Sequence, residues 1–482
     1  MVIEKMEGYI PKDERKKILL MCDDIRTHSG IATVAKEIVM HTCHHYNYIN
    51  IGAAINHPDQ GKKLDLSQET NKIAGIEDSS VTVIPFSGYG NPELVRQLLK
   101  QEKPDAIFII TDPRYWTWLF QMENEVRTKI PIIYLNIWDD YPAPMYNKEY
   151  YESCDLLMGI SKQTVNINTL VLGDKAKDKL IKYVPHGLNH LNYKPVEEND
   201  PQLIEFKKSI FGDKEYDFAV HFNSRNIRRK QVPDTIWAFK QFVDKLELEQ
   251  AKKCALVLHT QAVDNNGTDL PAVIDALCGE DPRYNVVIVS KHFTPEQMNL
   301  LYNSTDVQIQ LTSNEGWGLS LTEAMLVGNL IIANTTGGMQ DQMRFIDNKG
   351  NWFTPDAEVP SNNTKKYTEH GEWAFPVFPA CRSIQGSPPT PYIWDDRCKA
   401  EDAAEQLYNV WSLSKEERKT RGLKAREWAL SDEAGFTARH QGYRVMDNID
   451  ELFNTWKPRK RYEIITIDKK KDKKVIPHKL EY

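Results

Sequence analysis

The chain has 482 residues, 41% hydrophobic and 27% charged, with a net charge of −7. That length suits two or three domains of ordinary globular composition, and the negative balance leaves no overall basic footprint for nucleic acid. The absence of a long apolar run excludes a membrane-spanning helix, and the mixed-charge opening MVIEKMEGYIPKDERKK has no apolar signal core. Seven scattered cysteines (Cys22, Cys43, Cys154, Cys254, Cys278, Cys381 and Cys398) without a CxxC pair point to reduced thiols and a cytoplasmic location.

In chain order, KKILLMCDD (16–24) predicts a strand and GIATVAKEIVMHTCHH (30–45) a helix. Buried strands are expected at 48–55, 81–86, 105–110, 130–139 and 156–161, with a helix at 91–102 between two of them. This alternation implies parallel βαβ units in a doubly wound sheet. The Pro/Gly/Asn-rich stretch 181–195 reads as a linker. The rhythm then restarts, with strands at 216–224, 254–260, 285–291, 306–312 and 329–335 and helices at 232–246 and 294–304. The expected architecture is α/β with two Rossmann-like doubly wound domains facing a cleft, 1–195 and 196–434. Residues 353–398 read as an irregular loop insertion in the second domain. Helices return at 399–412, 414–430 and 435–456, the last of them expected to pack back on the first domain. Residues 457–482 form a basic tail, with nine Lys or Arg against three acids between 457 and 474.

The most specific chemistry lies in Asn314-Glu315-Gly316-Trp317-Gly318-Leu319-Ser320-Leu321-Thr322-Glu323, followed by Gly337-Gly338. A glycine turn feeding a helix offers backbone N–H groups to an anion such as a diphosphate. Glu315 and Glu323 can accept hydrogen bonds from vicinal sugar hydroxyls. Asn223-Ser224-Arg225-Asn226-Ile227-Arg228-Arg229-Lys230 sets four cations in eight residues on a loop entering a helix, a clamp for phosphate or a solvated basic loop. Gly30 follows the first strand at the start of a helix, where a glycine turn can cradle phosphate or merely connect. His41, His44 and His45 crowd one helix end and read either as metal ligands or as cations favoured at a helix C-terminus. Tyr115, Trp116, Trp118, Trp138 and Tyr141 cluster near strand ends, as core or as a stacking platform for a sugar or base.

These motifs resemble those of retaining GT-B glycosyltransferases, in particular glycosyltransferase family 4 (glycosyl transferases group 1). Glu315 and Glu323 match the family's Glu-x7-Glu, and Arg225 and Lys230 keep the spacing of its Arg…Lys pair, with Ser224 and Gln231 where the family has glycines. Cys154–Ser161 and Val184-Pro185-His186-Gly187-Leu188-Asn189 match first-domain segments more loosely. Trp138-Asp139 stands where the family has His-Asp.

The resemblance implies transfer of a sugar from a nucleotide-diphosphate sugar to an acceptor hydroxyl with retention, without a metal or other cofactor. It implies Arg225, Lys230 and Glu315 as catalytic residues. For the donor it implies Gly30, Glu323, Gly316, Trp317, Gly318, Leu319, Ser290 and Lys291, the base lying near the last two. Trp138 and Asp139 would face the acceptor. The nucleotide, UDP or GDP or another, is not specified, nor is the acceptor. One alternative acceptor is a hydroxymethylated base in DNA, reached through the basic tail 457–474. Rivals of other classes are a non-catalytic GT-B-like nucleotide-sugar-binding protein and a GT-B epimerase or phosphorylase.

Overall fold

The structure, a computed structural model, describes residues 3–53 and 55–460. The basic tail from 461 onward lies outside them. Eight strands build the first sheet: β1 (Lys16–Asp23), β2 (Tyr46–Ala53), β3 (Leu64–Asp65), β4 (Val81–Pro85), β5 (Ala106–Ile110), β6 (Ile132–Asn136), β7 (Leu156–Gly159) and β8 (Leu180–Tyr183). They run in the order β3-β4-β2-β1-β5-β6-β7-β8, all parallel except the short β3. Ile18 to Cys22 are fully buried, as a strand covered by helices on both faces requires.

The second sheet comprises β9 (Phe218–Asn223), β10 (Cys254–His259), β11 (Asn285–Val289), β12 (Val307–Gln310), β13 (Leu330–Asn334) and β14 (Ala374–Val377). Its order is β11-β10-β9-β12-β13-β14, all parallel. Strand order reverses between β1 and β5 in one sheet and between β9 and β12 in the other. Crevices at the carboxyl ends of such strands are where doubly wound folds bind ligands.

Two stretches differ from expectation. The segment 353–398 is irregular only in its first half: from 374 onward it supplies β14 and an antiparallel hairpin of β15 (Cys381–Ser387) and β16 (Thr390–Arg397). Pro376 is tolerated because β14 is an edge strand, and the largely exposed β15 has no buried face to impose an alternating pattern. The expected linker 181–195 begins with β8, and an unforeseen helix at Pro201–Phe211, N-capped by Asp200, follows it. Among the described residues no helix is long and apolar enough to cross a membrane.

The chain passes between the domains twice, side by side. Leu188 N–H donates to Phe436 O (3.1 Å) and Ala438 N–H to Leu188 O (2.9 Å). A Cβ on Gly187 would lie 2.2 Å from Thr437 O, so the two passages touch backbone to backbone. Beyond this point the helix Ala438–Thr455 lies against the first domain's helix Gly30–Thr42, with a Cβ on Gly442 only 2.9 Å from His41 Cβ. Tyr46 donates to Asp450 (2.6 Å) and Lys182 pairs with Glu451 (2.6 Å). The clustered histidines are structural here: His44 bonds Glu7 O (2.8 Å), and His45 bonds Gly8 O (2.6 Å) and Asp450 (2.9 Å).

Two further contacts join the domains. Lys162, first residue of the helix Lys162–Leu172, donates its N–H to the buried Asp341 (2.9 Å), and its ammonium lies 3.5 Å from the Trp352 ring centroid. Tyr183 also donates to Asp341 (3.0 Å). At the other side of the cleft the β15–β16 hairpin reaches the first domain, where Trp394 N–H donates to Tyr141 O (2.8 Å) and Tyr146 donates to Tyr392 O (2.9 Å).

Candidate functional site

The site grows from the two loops that leave β9 and β12. After β9 a short 3-10 turn, Arg228–Lys230, ends at Gln231, whose φ of 52° is unusual for a residue with a side chain. This turn directs Lys230 inward. Its ammonium pairs with Glu315, and Arg229 reaches the same carboxylate at 3.1 Å and Asn314 O at 2.7 Å. The loops are laced together by Ser313 N–H and Thr312 Oγ1, both donating to Arg229 O (2.8 and 2.9 Å). Burial alone would raise the Glu315 carboxyl, but Lys230 and then Arg229 outweigh it and hold the group at about 2. Glu315 is therefore anionic at neutral pH. Burial lowers the Lys230 ammonium, an effect Glu315 only partly offsets.

Arg225 is not in this cluster. It is mostly exposed and pairs with Asp264 (2.7 Å). Arg229 stands beside Glu315 instead, a position that spacing to Lys230 did not reveal.

The glycine turn is fixed by close backbone approach. A Cβ on Gly316 would lie 2.8 Å from Ile137 O of the first domain. On Gly337 it would lie 1.9 Å from Glu315 O, and on Gly338 2.1 Å from Gly316 O. Gly318, at φ +91°, is the N-cap of the helix Leu319–Val327. The Trp317 side chain points into the core, donating to Thr322 (3.0 Å) and packing edge-on to Phe436, so only its backbone can serve a ligand.

Glu323 stands in the next turn. Tyr193 donates to one oxygen (3.0 Å), and Tyr302 and Asn223 (3.3 Å) to the other. Burial raises its carboxyl, and these three donors oppose the rise. Asn223 Oδ1 bonds His259 Nδ1 (2.9 Å), and His259 Nε2 bonds Lys291 O (2.9 Å). A hydrogen-bonded row thus crosses the strand ends from Glu323 to Lys291. The sequence reading had the ends of this row but not His259. Ser290, exposed next to Lys291, donates to Thr260 O (2.9 Å).

No protein-family profile and no curated protein matches the sequence. Solved structures do match the fold. HepE of Anabaena in complex with UDP and glucose aligns with a TM-score of 0.62 at 14% identity, covering 91% of this chain and 100% of that one. Sucrose-phosphate synthase from Thermosynechococcus elongatus gives the same TM-score, identity and coverage. An E. coli protein described as trehalose-6-phosphate bound with UDP-2-fluoro glucose aligns at 0.59 and 12% identity, covering 90% and 99%. The fold is GT-B.

Within the GT-B cleft the first domain supplies the opposite wall. Gly30 opens its helix behind the N-cap Ser29, and a Cβ there would lie 3.7 Å from Leu319. His28 and His292 face each other across the gap with ring centroids 6.4 Å apart. Trp138 is buried, and its indole N–H donates to Asp140 O (2.8 Å), so that donor is already engaged. Asp139 lies within reach of the ion cluster: burial raises its carboxyl, Arg229 lowers it and Glu315 raises it further.

His186, read only as part of the linker and of a loosely matched first-domain segment, is the second residue to which the sequence reading gave no role. It is buried edge-on to Trp317, and its Nδ1 has no partner among the described residues. Burial pushes its imidazolium down to about 3, with Glu315 pulling the other way, so it is neutral at pH 7.

Proposed function

We propose that this protein transfers a sugar from a nucleotide-diphosphate sugar to an acceptor hydroxyl, with retention of configuration and without a metal. The observation that carries the reading is the buried Lys230–Glu315–Arg229 cluster beneath the glycine turn at the head of helix Leu319–Val327. Cations concentrated there suit a diphosphate whose negative charge grows as it leaves, an interaction stronger in the transition state than in the ground state. Glu315 offsets one of these two positive charges. An arriving diphosphate would share Lys230 and Arg229, leaving Glu315 able to accept from a sugar hydroxyl. Glu323 and its tyrosines would take the ribose hydroxyls, and the row to Lys291 the base.

In the reaction, the acceptor oxygen bonds to the anomeric carbon on the face from which the diphosphate departs. The carbon–oxygen bond to the diphosphate breaks with its electron pair staying on the phosphate. The acceptor's proton passes to the released diphosphate. The likeness to structures holding UDP, UDP with glucose or UDP-2-fluoro glucose favours a UDP-sugar donor.

Thermal unfolding with UDP, GDP, ADP and their sugar conjugates tests the donor site. One of them at saturating concentration should raise the midpoint. If none shifts it, the proposal fails.

A further inference from the structure

The strand ends of the first domain carry a feature that donor chemistry does not use. Tyr89 and Tyr115, from the loops after β4 and β5, stack with centroids 4.2 Å apart and planes 15° from parallel. Tyr89 is anchored from behind, edge-on to the buried Trp116 at 5.3 Å, with its hydroxyl donating to Asp23 (3.2 Å). Tyr115 remains 49% exposed, so the stack presents an open aromatic face. Asp23 also accepts from Ser29 (2.6 Å), the N-cap of the helix begun by Gly30, which faces Leu319 of the donor turn. The aromatic face is therefore linked by direct contacts to the donor side. Next to it, Arg114 contacts Thr390 of the hairpin, which walls the cleft there.

The charges around this face are those of a site for an uncharged ligand. Arg114, next to Tyr115 in the chain, is forked onto Asp112, and Arg26 in the loop after β1 onto Asp24, so each of these cations is already matched. Asp23 and Asp139 add carboxylates to the same strand ends. A phosphodiester would meet arginines already paired and further carboxylates, whereas sugar hydroxyls could donate to the lone pairs that Tyr89 and Ser29 leave on Asp23 and sugar C–H groups could lie on the ring.

Building on the glycosyl-transfer reading, we infer that Tyr115, backed by Tyr89, is an acceptor subsite and that the acceptor is a neutral saccharide. The acceptor hydroxyl would be glycosylated as described above, with the nucleotide-diphosphate sugar as co-reactant.

The test uses the full chain with its stabilising nucleotide-sugar and three probes: a pool of neutral mono- and oligosaccharides, a pool of sugar phosphates, and duplex DNA carrying 5-hydroxymethylcytosine. Nucleoside diphosphate release and label transfer are read for each. The expected result is transfer to the neutral pool. In Tyr115→Ala the KM for that acceptor should rise about tenfold, and Tyr115→Phe, which keeps the ring, should restore it. Transfer only to DNA or only to sugar phosphates would overturn the inference. So would transfer to no probe while the donor still raises the unfolding midpoint, or an unchanged acceptor KM in Tyr115→Ala. Loss of the midpoint shift itself in the wild-type chain would instead sink the donor reading.

Discussion

Lys230 and Arg229 are the residues on which the proposed donor site turns, because they are the cations that reach Glu315. Lys230→Ala should lower kcat/KM for nucleoside diphosphate release by about 10²–10³-fold, the usual loss when a transition-state charge contact is removed. Arg229→Ala should cost far more activity than Arg225→Ala, since Arg225 faces Asp264. Steady-state rates for the three variants decide this, and equal losses for the two arginines would contradict the arrangement seen here. Glu315 and Lys230 were legible in the sequence because two glutamates bracket a glycine turn that feeds a helix, and the basic loop 225–230 is its natural complement. The choice between Arg225 and Arg229 was not. It depends on the 3-10 turn ending at Gln231, and a glutamine gives no sign that its backbone is left-handed. His186 and His259 escaped for a different reason: a lone histidine acquires meaning only from the neighbours that tertiary folding supplies.

The elements that hold the site are sensitive to single atoms. Gly338→Ala places a methyl 2.1 Å from Gly316 O and 3.0 Å from the Trp317 backbone, and neither neighbour is a flexible side-chain end. The turn must shift, at about 1–3 kcal/mol, and both the unfolding midpoint and donor affinity should fall together. The helix Gly30–Thr42 carries a second test. Glu37 is buried on it, and burial lifts its carboxyl from the ordinary 4.5 to about 8. The folded chain therefore keeps a proton that the unfolded chain releases between those values, and the associated stability is lost as pH rises through about 8. Glu37→Gln, always neutral, should match the wild type in midpoint at pH 5 and exceed it at pH 9. A scan of midpoint against pH for both proteins checks the sign. Strands with continuous apolar runs were readable from sequence, since burial on both faces leaves one pattern. The edge strand β14 and the hairpin β15–β16 were not, because edges and exposed strands carry proline and polar residues freely.

At the scale of the whole molecule, two latches flank the cleft. Asp341 is buried and takes the backbone N–H and the nearby positive charge of Lys162 from the other domain. Lys162→Ala keeps the backbone N–H and Tyr183 bonds to that carboxylate but removes the nearby positive charge, the ammonium's contacts with Trp352 O and Phe353 O and its place over the Trp352 ring, so the loss should be about 1–2 kcal/mol. Because the contact joins domains, calorimetry should show one unfolding transition separating toward two. A single transition merely shifted downward would mean that the latch contributes only locally. The two-domain plan was legible from the restart of the strand rhythm near 216. The latches were not, since they pair residues 179 and 246 positions apart and no local pattern announces such a partner.

The paired crossing at Leu188 and Thr437 also sets an order in time. The ribosome delivers the eight-stranded domain first, yet the helix covering its Gly30–Thr42 face comes from residues 438–455. Until then the buried surface around His41 and Tyr46 is uncovered in the nascent chain. The first domain to be synthesised is thus the last to be completed, and it must wait for the entire second domain to emerge.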